Sequence, residues 1–275
     1  MTSPISAAFP PSPSPDETPV EIVPGDPACG LLLLCDHASN ALPARYGSLG
    51  LPERELQRHI GFDIGVRGLT LRLARAFGAP ALLTTFSRLL IDPNRGEDDP
   101  TLVMRLSDGA IVPGNAHHDA AEREARLAAY HRPYHAAVSS AIDAAQAAGH
   151  RPAILSIHSF TPVWKGVSRP WHAGVLWDRD PRFAVPLIEA LRQERDLVTG
   201  DNEPYDGALK NDCMYRHGTS RGIAHALIEV RQDLIGDEAG IDAWAARLEP
   251  MLRRIIANSP ALREIRHYGS RSDDA

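Results

Sequence analysis

The stretch of this 275-residue chain that most limits its possible folds is 154–162, Ile-Leu-Ser-Ile-His-Ser-Phe-Thr-Pro, where an apolar run stops abruptly at histidine and hydroxyl residues. Such a run suits a buried strand, and the Pro-bounded loop after it puts His158 at a sheet edge. Ligands of open α/β sheets bind outside the carboxyl ends of the strands, so other strand ends are expected to converge on His158. Three segments have that form. Residues 30–36, Gly-Leu-Leu-Leu-Leu-Cys-Asp, run into His37, Ala38, Ser39 and Asn40. Residues 88–92, Arg-Leu-Leu-Ile-Asp, are read as a strand running into Pro93, Asn94 and Arg95, and residues 224–230 carry Ile228 into Glu229, Val230 and Arg231.

Apolar strands alternating with amphipathic helices imply a three-layer α/β/α sandwich around a mixed, mostly parallel sheet. Helices are expected at 52–59, from Asp63 through Phe77, at 119–148 with a kink at Pro133, at 181–194 and at 241–257; further strands are expected at 81–86 and 172–177. Residues 96–114 read as a polar loop. The first 27 residues are dense in Pro and Ser and read as a disordered tail, with one catalytic domain over 28–268 and a disordered end at 269–275.

A formal net charge of −6 without a Lys/Arg run argues against nucleic-acid binding and for a small-molecule partner. Three cysteines without metal-type spacing fit a reducing cytoplasm, and neither a secretory signal nor a membrane-length apolar run is present, so a soluble cytoplasmic protein is expected. Oligomeric state is not legible.

Two imidazoles, a carboxylate and an arginine at separate strand ends are the parts of a metal-assisted hydrolase, in which zinc takes N and O ligands. His37 and His158 are the expected ligands. The third is open among Asp63, Asn40 and Asp36; Asp63 is favoured because a carboxylate binds zinc far better than an amide, although it equally suits a helix N-cap. Asp36 alternatively orients an imidazole. Glu229 sits too deep in an apolar strand for a solvated charge, so burial is expected to raise its pKa into the range of a general base; the alternative is a salt bridge with Arg231 on the same strand face. Asn94 and Arg95 suit a carboxylate clamp, and Arg88 suits polarisation of a scissile carbonyl. Ser159 and either Tyr205 or Tyr215 are further substrate contacts. A rival metal site is offered by His131 and His135, at i and i+4, together with His117, His118 and Asp119; it lacks a glutamate after the first His.

Residues 35–43, the Asp63 segment, and residues 87–95, 131–135 (His-Arg-Pro-Tyr-His), 156–162 and 229–234 (Glu-Val-Arg-Gln-Asp-Leu) together resemble the N-formylglutamate amidohydrolase family over roughly residues 30–235. A more distant similarity links the chain to zinc carboxypeptidases, which carry in the same order a His at a strand end, an Asp-x-Asn-Arg segment, a Ser-Ile-His-Ser-like strand end and a Glu-x-Arg strand. These resemblances imply a mixed-sheet sandwich, Zn²⁺ on His37 and His158, a carboxylate held by Asn94 and Arg95, and Glu229 as base. They also imply hydrolysis of N-formyl-L-glutamate to formate and glutamate, as in histidine degradation. The carboxypeptidase pattern has Glu three residues after the first His, where this chain has Asn40. The alternatives are a hydrolase of another N-acyl amino acid or small peptide, and a non-catalytic binder of carboxylated ligands.

Overall fold

A computed structural model describes residues 9–274. Seven strands form the main sheet: β1 (Val20–Val23), β2 (Leu31–Cys35), β3 (Ala81–Thr84), then, after a small hairpin of β4 (Leu106–Ser107) and β5 (Ala110–Ile111), β6 (Ala153–Phe160). A second hairpin, β7 (Val163–Trp164) with β8 (Val167–Ser168), precedes β9 (Ala173–Leu176), β10 (Thr199–Asp201) and β11 (His225–Arg231). The order across the sheet is β1-β3-β2-β6-β11-β9-β10. The central four strands are parallel; β1 is antiparallel to β3, and β9 and β10 run together against β11. The helices are α1 (Glu53–Leu56), α2 (Val66–Phe77), α3 (Pro113–Ala116), α4 (Ala120–Arg126), α5 (Arg132–Ala147), α6 (Pro181–Arg192), α7 (Cys213–His217) and α8 (Glu238–Asn258).

The period of two along each strand sorts its residues between two cores. Leu31, Leu33, Leu155, Ile157, Ala226 and Ile228 face α2, α6 and α8, which contribute Leu69, Leu73, Phe183, Leu187, Leu248 and Leu252. Leu32, Leu34, Ile154 and Leu227 face Tyr134, Val138 and Ile142 of α5 and Met214 of α7. With both faces covered, β2 and β6 are buried along their whole length, as parallel strands usually are. Continuing the second alternation places Asp36, His158 and Glu229 on the α5 side, and the register pairs Glu229 directly with His158. The expected mixed, mostly parallel sandwich is what the chain forms.

Several local expectations are corrected. Residues 88–92 form a buried turn, not a strand. Their carbonyls are served by side chains: Asn115 donates to Leu89 O and Arg126 to Leu90 O, and the backbone N–H of Leu90 closes on Ser87 O. An apolar run of this length signals burial, and a strand ladder is one of several ways to satisfy its backbone. The 96–114 loop contains the β4–β5 hairpin and the start of α3. Around Pro133 the chain widens into a π-turn, Leu127–His131, in place of a simple kink.

The Pro/Ser-rich segment is ordered where it is described. Val20–Val23 is an edge strand on β3, and Arg67 donates to Glu21; the expectation of disorder over 1–8 lies outside the described residues. The end of the chain is also placed, with a 3-10 turn at Arg271–Asp273 and Arg271 paired to Asp178 and Asp206; only Ala275 is outside the described residues. Among the described residues no helix is long and apolar enough to cross a membrane.

Candidate metal and active site

Five chain segments converge at the carboxyl ends of β2, β6 and β11. His37 follows β2, and the backbone N–H of Asp63 donates to His37 O at 3.0 Å, which ties the two segments together. Asp63 does not cap α2, because Gly65 holds that position with φ 82°. A Cβ there would lie 2.0 Å from Ile235 O, so the residue next to the Asp63 segment must be glycine to let the backbones approach.

Asp63 Oδ2 lies 3.3 Å from His37 Nδ1 and 3.0 Å from His158 Nδ1, with all three residues buried. Four-coordinate zinc with bonds of about 2.0 Å needs ligand atoms about 3.3 Å apart, and the two distances from Asp63 Oδ2 are of that size. The far nitrogens are already engaged: His37 Nε2 donates to Asp92 Oδ1 at 2.8 Å, and His158 Nε2 donates to Asp36 Oδ2 at 3.0 Å. Asp36 is fixed in turn by the hydroxyls of Tyr134 (2.6 Å) and Ser156 (3.0 Å). A carboxylate on the outer nitrogen is how metal-binding imidazoles are oriented and made more basic.

Charge leads to the same conclusion. Burial opposes ionisation of Asp36 and Asp63, but hydrogen bonds and charge from His158 and His37 hold both well below the usual carboxylate range. Asp92 is held low, against its burial, by Arg88, His37 and Arg95. Arg88 is the guanidinium bonded within this cluster, donating to Asp92 Oδ2 (2.7 Å) and Asp63 Oδ1 (3.4 Å). Three buried anions against one cation leave a deficit of two positive charges, met either by protonating both imidazoles or by a divalent ion with neutral imidazoles. Burial works against His158, yet its bonds to Asp36 and Asp63 push it up to about 10. The donor set therefore fits a divalent metal.

Glu229 is 6% exposed, and among the described residues its Oε2 has no hydrogen-bond partner. Burial pushes its carboxyl up to about 7; Asp63 reinforces the rise, while His158, His37 and Arg88 oppose it. Arg231 does not pair with it. That guanidinium goes to Asp233 and to the carbonyls of Arg169 and Trp171.

The His37–Asp63–His158 group opens into a cavity of about 420 Å³, whose walls include Glu229, Arg88, Asn94, Arg95, Ser159 and Tyr205. The expected site residues are thus brought together, with distinctions among them. Ser159 spends its hydroxyl proton on Ile64 O and gives its backbone N–H to Asp63, so it holds that carboxylate in place and its hydroxyl keeps only acceptor capacity. Tyr205 accepts from Arg169, whereas Tyr215 bonds Asp273 at the surface, away from the cavity. Asn40 is not in the metal group; its amide donates to Leu56 O. The rival metal site is dispersed: His118 bonds Asn115 O, while His131 and His135 bond Arg95 O and Pro93 O. His135 instead groups with Cys213 and His217. Asp92 is a site residue that the sequence reading lacks; its signal is the Asp-Pro-Asn-Arg segment, 92–95, that also carries Asn94 and Arg95.

The family model for N-formylglutamate amidohydrolase matches residues 29–236. Among solved structures, the gene product Atu2144 from Agrobacterium tumefaciens is 33% identical with a TM-score of 0.81, covering 86% of this chain and 94% of that one. An N-formylglutamate amidohydrolase from Ralstonia eutropha JMP134 is 25% identical with a TM-score of 0.63, covering 88% of this chain and 98% of its own. No curated protein matches. By the extent of the family match, which includes His37, Asp63, His158 and Glu229, this chain belongs to the N-formylglutamate amidohydrolase family and is an enzyme of the amidohydrolase class.

Proposed function

We propose that the chain is a metal-dependent hydrolase of the amide bond of a small N-acyl amino acid bearing a carboxylate, with N-formyl-L-glutamate as the leading substrate and formate and L-glutamate as products. The observation that carries this reading is the convergence of His37 Nδ1, Asp63 Oδ2 and His158 Nδ1 beside the unpartnered carboxyl of Glu229. These three residues would hold the metal, for which zinc suits the N/N/O donors; when bound it supplies Lewis acidity and makes hydroxide available near neutral pH. Glu229, ionised, takes the proton of the attacking water and returns it to the leaving amine nitrogen. Arg88 bonds Asp92 and Asp63 through three of its five N–H donors, which leaves two for the oxygen of the amide as it gains charge. Arg95 and Asn94 hold the substrate carboxylate, and Tyr205 lines the same cavity.

A non-catalytic binder does not fit a member of an amidohydrolase family. A role in histidine degradation follows only with N-formyl-L-glutamate as substrate, and the free thiols of Cys29, Cys35 and Cys213 suit a reducing cytoplasm. The test is formate release from N-formyl-L-glutamate beside N-acetyl and other N-formyl amino acids, with and without chelator. Turnover that the chelator abolishes and zinc restores is expected. Absence of turnover on every substrate in the zinc-loaded enzyme would overturn the reading.

A further inference from the structure

The residues of the clamp, Asn94 and Arg95, lie on an irregular turn with no strand or helix to hold it. Three hydrogen bonds from outside the turn fix its main chain and the Asn94 side chain. His135 Nε2 donates to Pro93 O at 3.0 Å, His131 Nε2 to Arg95 O at 2.9 Å, and the backbone N–H of Cys213 to Asn94 Oδ1 at 3.2 Å. The two carbonyls flank Asn94, and the two imidazoles that reach them stand one helical turn apart at the start of α5, so one rigid element grips the turn on both sides.

Proton accounting fixes the state of these rings. A carbonyl only accepts, so His131 and His135 each carry their hydrogen on Nε2. The bare Nδ1 of His135 is then an acceptor, and His217 Nε2 lies 2.9 Å from it and must donate. This assignment leaves Nδ1 of His131 and Nδ1 of His217 without hydrogens, and these two nitrogens are buried without partners. Burial, which lowers the pKa of all three, keeps the chain His217 to His135 to Pro93 O neutral and directional. His135, Cys213 and His217 also lie close enough together to hold a metal ion, an outcome that metal counting on His217→Phe distinguishes.

We infer that His131 and His135, the latter oriented by His217, are positioning residues that hold Asn94 and Arg95 in the geometry that receives the substrate carboxylate. This rests on the reading of Arg95 and Asn94 as the clamp.

The test compares an N-formyl amino acid with its carboxamide, which lacks the charge the clamp reads, in zinc-loaded wild type and in His131→Leu, His135→Leu and the corresponding Gln variants. Gln can still donate one N–H to a carbonyl, and Leu cannot. The Leu variants are expected to raise KM for the carboxylate substrate tenfold or more with a smaller change in kcat. They should also collapse the preference for carboxylate over carboxamide, retain about one metal per chain, and be largely rescued by Gln. Should the Leu variants not fold, Asn, polar but too short to reach the carbonyls, replaces them with the same expectation. An unchanged carboxylate preference in the Leu or Asn variants overturns the inference even if their thermal midpoints fall, and so does a second metal equivalent that disappears in His217→Phe. No carboxylate preference in wild type would overturn the clamp reading itself, and the inference with it.

Discussion

Replacing Glu229 by Gln changes one proton-accepting group at nearly constant shape, and the structure assigns the change opposite effects on turnover and on stability. Burial moves the carboxyl from 4.5 to about 7, so ionising it in the fold costs about 3 kcal/mol more than in the unfolded chain. Because the folded value is the higher one, the stabilising contribution is present below 4.5 and is lost as pH rises through about 7. Gln does not titrate. In chelator-treated protein the thermal midpoint of wild type should therefore fall from pH 5 to pH 8 relative to Glu229→Gln, by up to about 5–10 °C for a chain of this size. Turnover should move the other way. The variant cannot accept a proton, so kcat of the zinc-loaded enzyme is expected to drop by about two to four decades, while metal content and substrate binding persist. In wild type, kcat/KM should decline on the acid side with an apparent pKa that belongs to Glu229 and the attacking water jointly. The assay is formate release together with thermal melts at both pH values on the same preparations. Near-normal kcat would remove Glu229 from the mechanism. A variant less stable than wild type at pH 8 would show instead that the carboxylate serves as a structural anion.

Further outcomes follow from the same geometry. Asp36→Asn and Asp92→Asn each weaken the carboxylate that orients a ligand imidazole, so metal affinity is expected to fall about 10- to 100-fold in competition with a chromophoric chelator; unchanged affinity would mean that the imidazoles are held without them. Arg95→Ala should cost about 2–4 kcal/mol in kcat/KM for the carboxylate substrate and much less for an uncharged analogue. An unchanged preference would place the clamp elsewhere on the cavity wall.

The parts of this account legible in the sequence are those written in short periodic stretches. The apolar runs ending in His37, His158 and Glu229 announced both the strands and their reactive ends, because an apolar run with a sharp polar stop is readable without tertiary context. Residues 88–92 misled for a tertiary reason. Three apolar residues in succession register burial alone, and the donors that serve Leu89 O and Leu90 O come from Asn115 and Arg126, which no local pattern links to them. Whether Asp63 caps a helix or stands free as a ligand likewise depended on a helix start shifted to Gly65, and the edge strand at Val20–Val23 is invisible until β3 offers it a partner. His131 and His135 had the spacing of a metal motif and bind a turn of their own chain, since the same imidazole lone pairs and N–H groups serve either purpose.

The central claim is that His37, Asp63 and His158 bind one metal ion on which hydrolysis depends. Zinc titration of chelator-stripped protein, with formate release and proton release followed together, tests it most directly. Turnover should rise linearly and plateau at about one zinc per chain. Protons should be released as metal binds, because His158, held as an imidazolium between Asp36 and Asp63, must give up its Nδ1 proton. His158→Ala should neither retain zinc nor turn over. Full activity in stripped protein, or an activity that ignores added zinc and survives in His158→Ala, would contradict the account.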